Sequence, residues 1–210
     1  MDNNLDVNKI SAEVITDLAK TTAQTLYQKV RDYVTDIQKK EEIDFGYAYE
    51  NYLKYAKTTH EKMKTLLYRH AAKDIYSFYE CVGLNRNEDI IDTADINNVL
   101  EIGNKIIVTG TGGSGKSVMM KHFFLNILET THYVPVLIEL RGLNEYDEKG
   151  INLEEYIYEV MGTLKFKIER KYFEYSLETG CYVILLDGFD EVKNEISNSV
   201  TNQIVAMSKK

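Results

Sequence analysis

The run Lys105–Ser117, KIIVTGTGGSGKS, constrains this chain more than any other stretch, because an Ile-Ile-Val segment breaks into a glycine-rich loop that ends on Lys-Ser. Gly110, Thr111, Gly112, Gly113, Ser114, Gly115, Lys116 and Ser117 fit the spacing GxxxxGK[ST]. Each part of that spacing has a physical reason. Glycines admit positive φ and close approach to the backbone, so successive N–H groups turn inward and form an anion-binding nest. A helix opening at Lys116 adds its positive end. The lysine then reaches β- and γ-phosphates as a point charge, and the hydroxyl of Ser117 faces Mg²⁺. The loop follows an apolar segment predicted as a strand and precedes Val118–Phe124, VMMKHFF, predicted as a helix. That strand–loop–helix setting is the one the motif requires.

A second feature lies some 70 residues on. Cys181–Leu186 is an uninterrupted apolar run that ends on Asp187, which places a carboxylate at the C-terminal end of a buried strand. Ligands of open α/β sheets lie at such ends. An aspartate there can hold Mg²⁺ opposite Ser117. Gly188 allows a sharp turn, and Asp190 and Glu191 follow on the same rim, where one of them could polarise a water for attack on a γ-phosphate. Read alone, the segment is equally an acidic turn capping the next helix. Read together with the glycine loop, it is the candidate catalytic and metal half of a triphosphate site.

Composition narrows the setting. The net charge of -8 argues against general attraction to nucleic acid or anionic membrane. Cys81 and Cys181, the two cysteines, match no metal or disulfide framework, which fits a reducing compartment. The first ten residues, MDNNLDVNKI, do not read as a secretory leader. No apolar run approaches the ~20 residues that span a bilayer. A cytoplasmic protein without membrane contact is the expectation.

Taken in order, residues 6–40 place Ile10, Val14, Leu18, Leu26, Val30, Val34 and Ile37 at helical spacing, and Ile43–Gly46 interrupts the pattern. A second helix groups Phe45, Tyr49, Tyr52, Leu53 and Ala56. A third groups Leu67, Ala71, Ile75, Phe78 and Val82, with Gly83 as its C-terminal cap. Residues 1–83 therefore read as an all-helical domain. Residues 84–104 read as a polar boundary with one short helix, and residues 105–210 as the nucleotide-binding part. Within that part, Tyr133–Leu140 is a second strand, 152–164 and 168–177 are helices, Cys181–Asp187 is a third strand, and 193–208 is a last helix. The four histidines show no ligand spacing and are expected to pack or face solvent.

Ile184–Glu191, ILLDGFDE, resembles the hhhDGxDE form of the magnesium-binding motif of NACHT domains, which belong to the signal-transducing STAND class of P-loop NTPases. A small residue follows the magnesium-binding Asp, and the acidic pair is shifted outward. The loop GTGGSGKS and the later VPVLIELRGLN, a strand with an Arg-containing turn, agree with that family over about residues 90–207. The helical first part resembles, less specifically, the domains that precede the NTPase in bacterial NACHT proteins, many of which act against phage.

The resemblance implies an α/β fold, with an N-terminal all-helical domain before a P-loop NTPase three-layer sandwich on a parallel sheet. It implies ATP/ADP and Mg²⁺ as ligands, slow hydrolysis, and a signalling switch that self-associates when activated. Adenine is implied by the family, and no NKxD base-reading motif is present; Thr93 and Ile96 fall where the family's adenine wall tends to lie. The family's sheet also contains a strand between those of the two motifs, which is expected beyond Lys210. The chain is thus expected to be the N-terminal portion of a longer protein or a truncated gene product. Two other readings differ in what they require. A steady-turnover AAA+ relative would need rapid hydrolysis and an arginine finger in trans, whereas a helical adaptor with a degenerate site would assemble without binding nucleotide.

Overall fold

The two continuous apolar runs pair with each other. In the computed structural model, which describes residues 39–64, 70–147 and 150–209, β5 (Val134–Glu139) lies parallel to β6 (Tyr182–Asp187), in register from Val134 opposite Tyr182 to Glu139 opposite Asp187. Both runs end on a carboxylate, so the register sets Glu139 and Asp187 side by side at one end of the ladder. The elements in chain order are α1 (Lys39–His60), β1 (Lys62–Met63), β2 (Lys73–Asp74), β3 (Leu84–Arg86), β4 (Asp89–Ile91), α2 (Ile96–Leu100), α3 (Lys116–Thr130), β5, α4 (Leu153–Thr163), α5 (Arg170–Glu178), β6 and α6 (Asn194–Met207). The fold is α/β, with helices and small sheets that include this one parallel pair among the described residues.

Local chemistry explains the helices that flank the ladder. Asn152 caps α4 by accepting the Glu155 amide at 3.0 Å, which satisfies one of the free N–H groups of the first turn. Gly180, at φ 67°, turns the chain out of α5 and straight into β6. On α6, Ile196 and Val200 are buried at helical spacing and belong to the core that α4 and the ladder share.

α1 is part of that same core. Tyr49, Tyr52, Leu53 and Ala56 are buried with Val134, Val136, Ile138 and Phe173. The Tyr52 hydroxyl donates to the Pro135 carbonyl at 2.8 Å, and the Tyr49 hydroxyl donates to Ser176 Oγ at 3.1 Å. Burial pushes the phenols of Tyr49, Tyr52 and Tyr182 well above their ordinary range. Phe166 meets Tyr49 and Tyr52 edge to face at 4.9 and 5.7 Å, a favoured aromatic geometry.

Three expectations are corrected. The break at Ile43–Gly46 does not occur, since α1 runs through it; an isolated glycine in a helix costs only about 1 kcal/mol. The third helix does not form in its described part. Lys62–Met63 pairs antiparallel with Lys73–Asp74, Ile75–Ser77 is one 3₁₀ turn, and Val82 is exposed. The Ile75 amide donates to Glu61 O at 2.9 Å, so a contact back to the end of α1 replaces helical bonding, and Gly83 caps no helix. Residues 84–91 form the hairpin β3–β4, turning at Asn87 with φ 58°, before the short helix that was expected. Leu67 and most of the helix expected over 6–40 lie outside the described residues.

The strand expected before the glycine loop is also absent. Residues 105–110 carry no ladder bonding, and Ile107 is 90% exposed. A strand exists only where a neighbour accepts its N–H groups and donates to its carbonyls. β6 pairs with β5 on one side, and among the described residues no strand lies on its other side. Every residue of β6 is accordingly only half-buried, although its sequence is that of a central strand.

Candidate functional site

The glycine loop forms the N-terminus of α3, a helix of 15 residues. Gly115 is its cap at φ 90° and Gly113 stands at φ 76°, a backbone region that residues with a Cβ avoid. Ser114 N donates to Thr111 O at 3.2 Å and closes the loop. The N–H groups of Gly113, Gly115, Lys116 and Ser117 make no backbone hydrogen bond among the described residues. Gly110 and Thr111 through Gly115 are exposed, whereas Lys116 and Ser117 are half-buried. Lys116 folds back over the loop: its Nζ donates to Gly110 O at 2.9 Å and to Thr111 O at 3.1 Å. A cation, helical N–H groups without backbone partners and a left-handed turn thus share one short stretch, the kind of chemistry that suits an anion.

The acidic half stands on β6 and the turn after it. Gly188, at φ 75°, turns the chain into a 3₁₀ turn at Phe189–Glu191, so Asp190 and Glu191 are exposed beyond the end of the ladder. Asp187 closes β6 beside Glu139 of β5. Lys121, on α3, lies within electrostatic reach of this rim. Burial lowers its pKa, and the nearby carboxylates of Glu139 and Asp187 oppose that shift. Ser117 is four residues before Lys121 and so shares its face of α3. Lys121 Nζ also donates to Lys62 O at 3.2 Å.

Several participants escaped the sequence reading. Glu139 accepts from Arg141 Nη2 at 2.8 Å, and Arg141 Nη1 lies 3.8 Å from Glu191 Oε2. The signal for Glu139 was available, since both strand runs end on an acid. Asn144 binds the acidic turn through three hydrogen bonds spanning 47–49 residues of sequence, a contact that no local pattern encodes.

The residues suit magnesium by donor type. Ser117 offers a hydroxyl and Asp187 a carboxylate, both hard oxygen ligands, and among the described residues no cluster of three or more His, Cys, Asp or Glu side chains could hold a metal alone. Mg²⁺ is typically held by one or two protein oxygens with waters and substrate phosphates supplying the rest. His122 is buried, with Nε2 donating to Thr93 O at 2.8 Å and Nδ1 3.1 Å from the Tyr76 hydroxyl, while His70 and His132 are exposed. Thr93 and Ile96 are themselves buried, Thr93 Oγ1 donating to Val82 O at 2.7 Å and the Ile96 amide to Asn126 Oδ1 at 2.7 Å, and Ile96 packs in one core with Met119, Phe123 and Ile127 of α3. No described helix is long and apolar enough to cross a membrane.

Comparison with family models, with curated proteins and with solved structures finds no match.

Proposed function

We propose that this chain binds a magnesium–adenine nucleotide at the Gly110–Ser117 loop and serves as the switch of a NACHT-type signalling NTPase. One observation carries the reading: the loop opens a long helix with unbonded N–H groups while Lys116 lies folded over it, bonded only to loop carbonyls that a phosphate oxygen would replace. Loop residues Gly110, Thr111, Gly112, Gly113, Ser114 and Gly115 cradle the phosphates. Lys116 neutralises the β- and γ-oxygens. Ser117 and Asp187 would hold Mg²⁺, whose chemistry there would be to stabilise charge on the terminal phosphate. Asp190 and Glu191 orient or deprotonate the attacking water.

The binding difference between ATP and ADP then biases two states of the protein. A ligand shifts such an equilibrium only by its differential affinity. Slow turnover suits this role, because hydrolysis resets the switch. The antiphage setting and self-association belong to the same proposal through the family resemblance. The test is hydrolysis by the purified 210-residue chain with Mg²⁺. Phosphate release no faster than that of Lys116→Ala, together with nucleotide-dependent thermal stabilisation that the variant lacks, supports a switch. Turnover well above that control from monomeric protein would instead place the chain among steady-turnover ATPases.

A further inference from the structure

The strand ends are joined by more than the ladder. Beyond Glu139 the chain forms a 3₁₀ turn over Leu140–Glu145, and beyond Asp187 it forms the one at Phe189–Glu191. The Asn144 side chain bridges them: Nδ2 donates to Glu191 O at 2.9 Å, and Oδ1 accepts the Lys193 amide at 2.8 Å. Lys193 Nζ returns a third bond to Asn144 O at 3.0 Å. A carboxamide is the side chain of this length that offers a donor and an acceptor together, and the two backbone partners fix which atom is which. The contact grips the acidic turn on the far side of Glu191, while on the near side the Glu191 amide donates to Gly188 O at 3.0 Å. Val192, buried between the two gripped residues, anchors the same segment in the core. Arg141, from the same turn as Asn144, stands between the Glu139 and Glu191 carboxylates.

We propose that Asn144 is a positioning residue of the nucleotide site, fixing through the backbone of residues 191 and 193 where Asp190 and Glu191 stand, with Arg141 holding the Glu191 carboxylate near Glu139. The proposal rests on the nucleotide-switch reading only for its functional consequence. The mechanical part stands on the hydrogen bonds alone. In this arrangement Asn144 touches neither nucleotide nor metal. It restricts the turn so that a Mg²⁺–triphosphate meets two carboxylates already in place.

The chain contains no tryptophan, so Phe189→Trp, at a half-exposed position inside the turn, introduces a unique fluorescent reporter. In that background two readouts are followed, exchange of the Lys193 amide by NMR and anisotropy of the introduced indole. Asn144→Ala is expected to speed Lys193 exchange about tenfold, the loss of one modest hydrogen bond, and to lower the anisotropy. Asn144→Asp keeps the acceptor for the Lys193 amide and loses the donor to Glu191 O. It is expected to preserve Lys193 protection and still lower the anisotropy.

Added Mg²⁺–ATP is expected to change the indole emission in the parent and much less in Asn144→Ala, while nucleotide affinity in EDTA differs by less than about twofold, as for a residue that makes no nucleotide contact. Unchanged exchange and anisotropy in a folded Asn144→Ala protein would overturn the proposal. If that variant loses its far-UV dichroism, Asn144→Asp decides, and parental anisotropy there overturns it. Absence of any Mg²⁺–ATP response that Lys116→Ala abolishes would instead refute the nucleotide reading and leave the Lys193 result to judge the positioning role.

Discussion

His60, the last residue of α1, makes this protein sensitive to acid in a way that can be worked through. Its ring meets Phe124 edge to face at 4.6 Å, and its Nε2 atom is buried with no hydrogen-bond partner among the described residues. Burial, reinforced by the cation of Lys121, lowers its pKa to about 4 from the ordinary 6.5. The neutral form is therefore the folded form. Between about pH 6.5 and 4 the unfolded chain takes up a proton that the folded chain refuses, so stability falls as the pH falls through that window. The shift corresponds to about 3 kcal/mol at its limit, a large share of the 5–15 kcal/mol typical of a domain.

The assay is urea unfolding at several pH values for the parent and for His60→Phe, which keeps a ring against Phe124 and removes the titration. Stability measured at pH 7.5 and at pH 4 should fall more steeply in the parent, and the difference between the two slopes isolates His60 from every carboxylate. Parallel profiles, or an imidazole that titrates near 6.5 by NMR in the folded protein, would refute the reasoning.

Other outcomes follow from single contacts. Asn152→Ala removes the cap of α4 and should cost about 1 kcal/mol in chemical denaturation. Gly188→Ala forces a Cβ onto a residue at φ 75° and should destabilise by about 1–3 kcal/mol in the same assay; unchanged midpoints for either variant would contradict the assigned geometry. Cys81 is exposed and Cys181 buried, so a maleimide applied under native conditions should label Cys81 first and reach Cys181 only on unfolding, as peptide mass mapping would reveal.

How far the sequence could be read depended on whether each element carries its own cause. VPVLIE and YVILLD are apolar up to their terminal acids and were legible as strands; Asn152 with Glu155, and Gly180, marked real helix ends. The pattern Ala71, Ile75, Phe78, Val82 looks equally helical. It fails because Ile75 is recruited by Glu61 O and Tyr76 by the buried imidazole of His122, contacts that outweigh a weak local preference. The Ile-Ile-Val segment before the loop has the composition of a strand, yet pairing needs a neighbour, and composition cannot supply one.

The site divides in the same way. In the proposed site, the glycine loop, Lys116 and Asp187 are legible because the phosphate and metal chemistry proposed for them would demand particular residue types at fixed spacing. Glu139, Lys121 and Asn144 are placed near these residues by a ladder register, a helix face and distant backbone atoms, which appear only when the chain is folded.

Calorimetric titration of ATP into the 210-residue chain, with Mg²⁺ and with EDTA, tests the central claim most directly. The account predicts saturable binding with Mg²⁺, weakened at least about tenfold by Lys116→Ala, as expected for loss of a charged contact to phosphate. It also predicts that Asp187→Ala abolishes the advantage of Mg²⁺ over EDTA while leaving binding in EDTA intact. Absence of ATP binding, or equal affinity in the parent and Lys116→Ala, would contradict it.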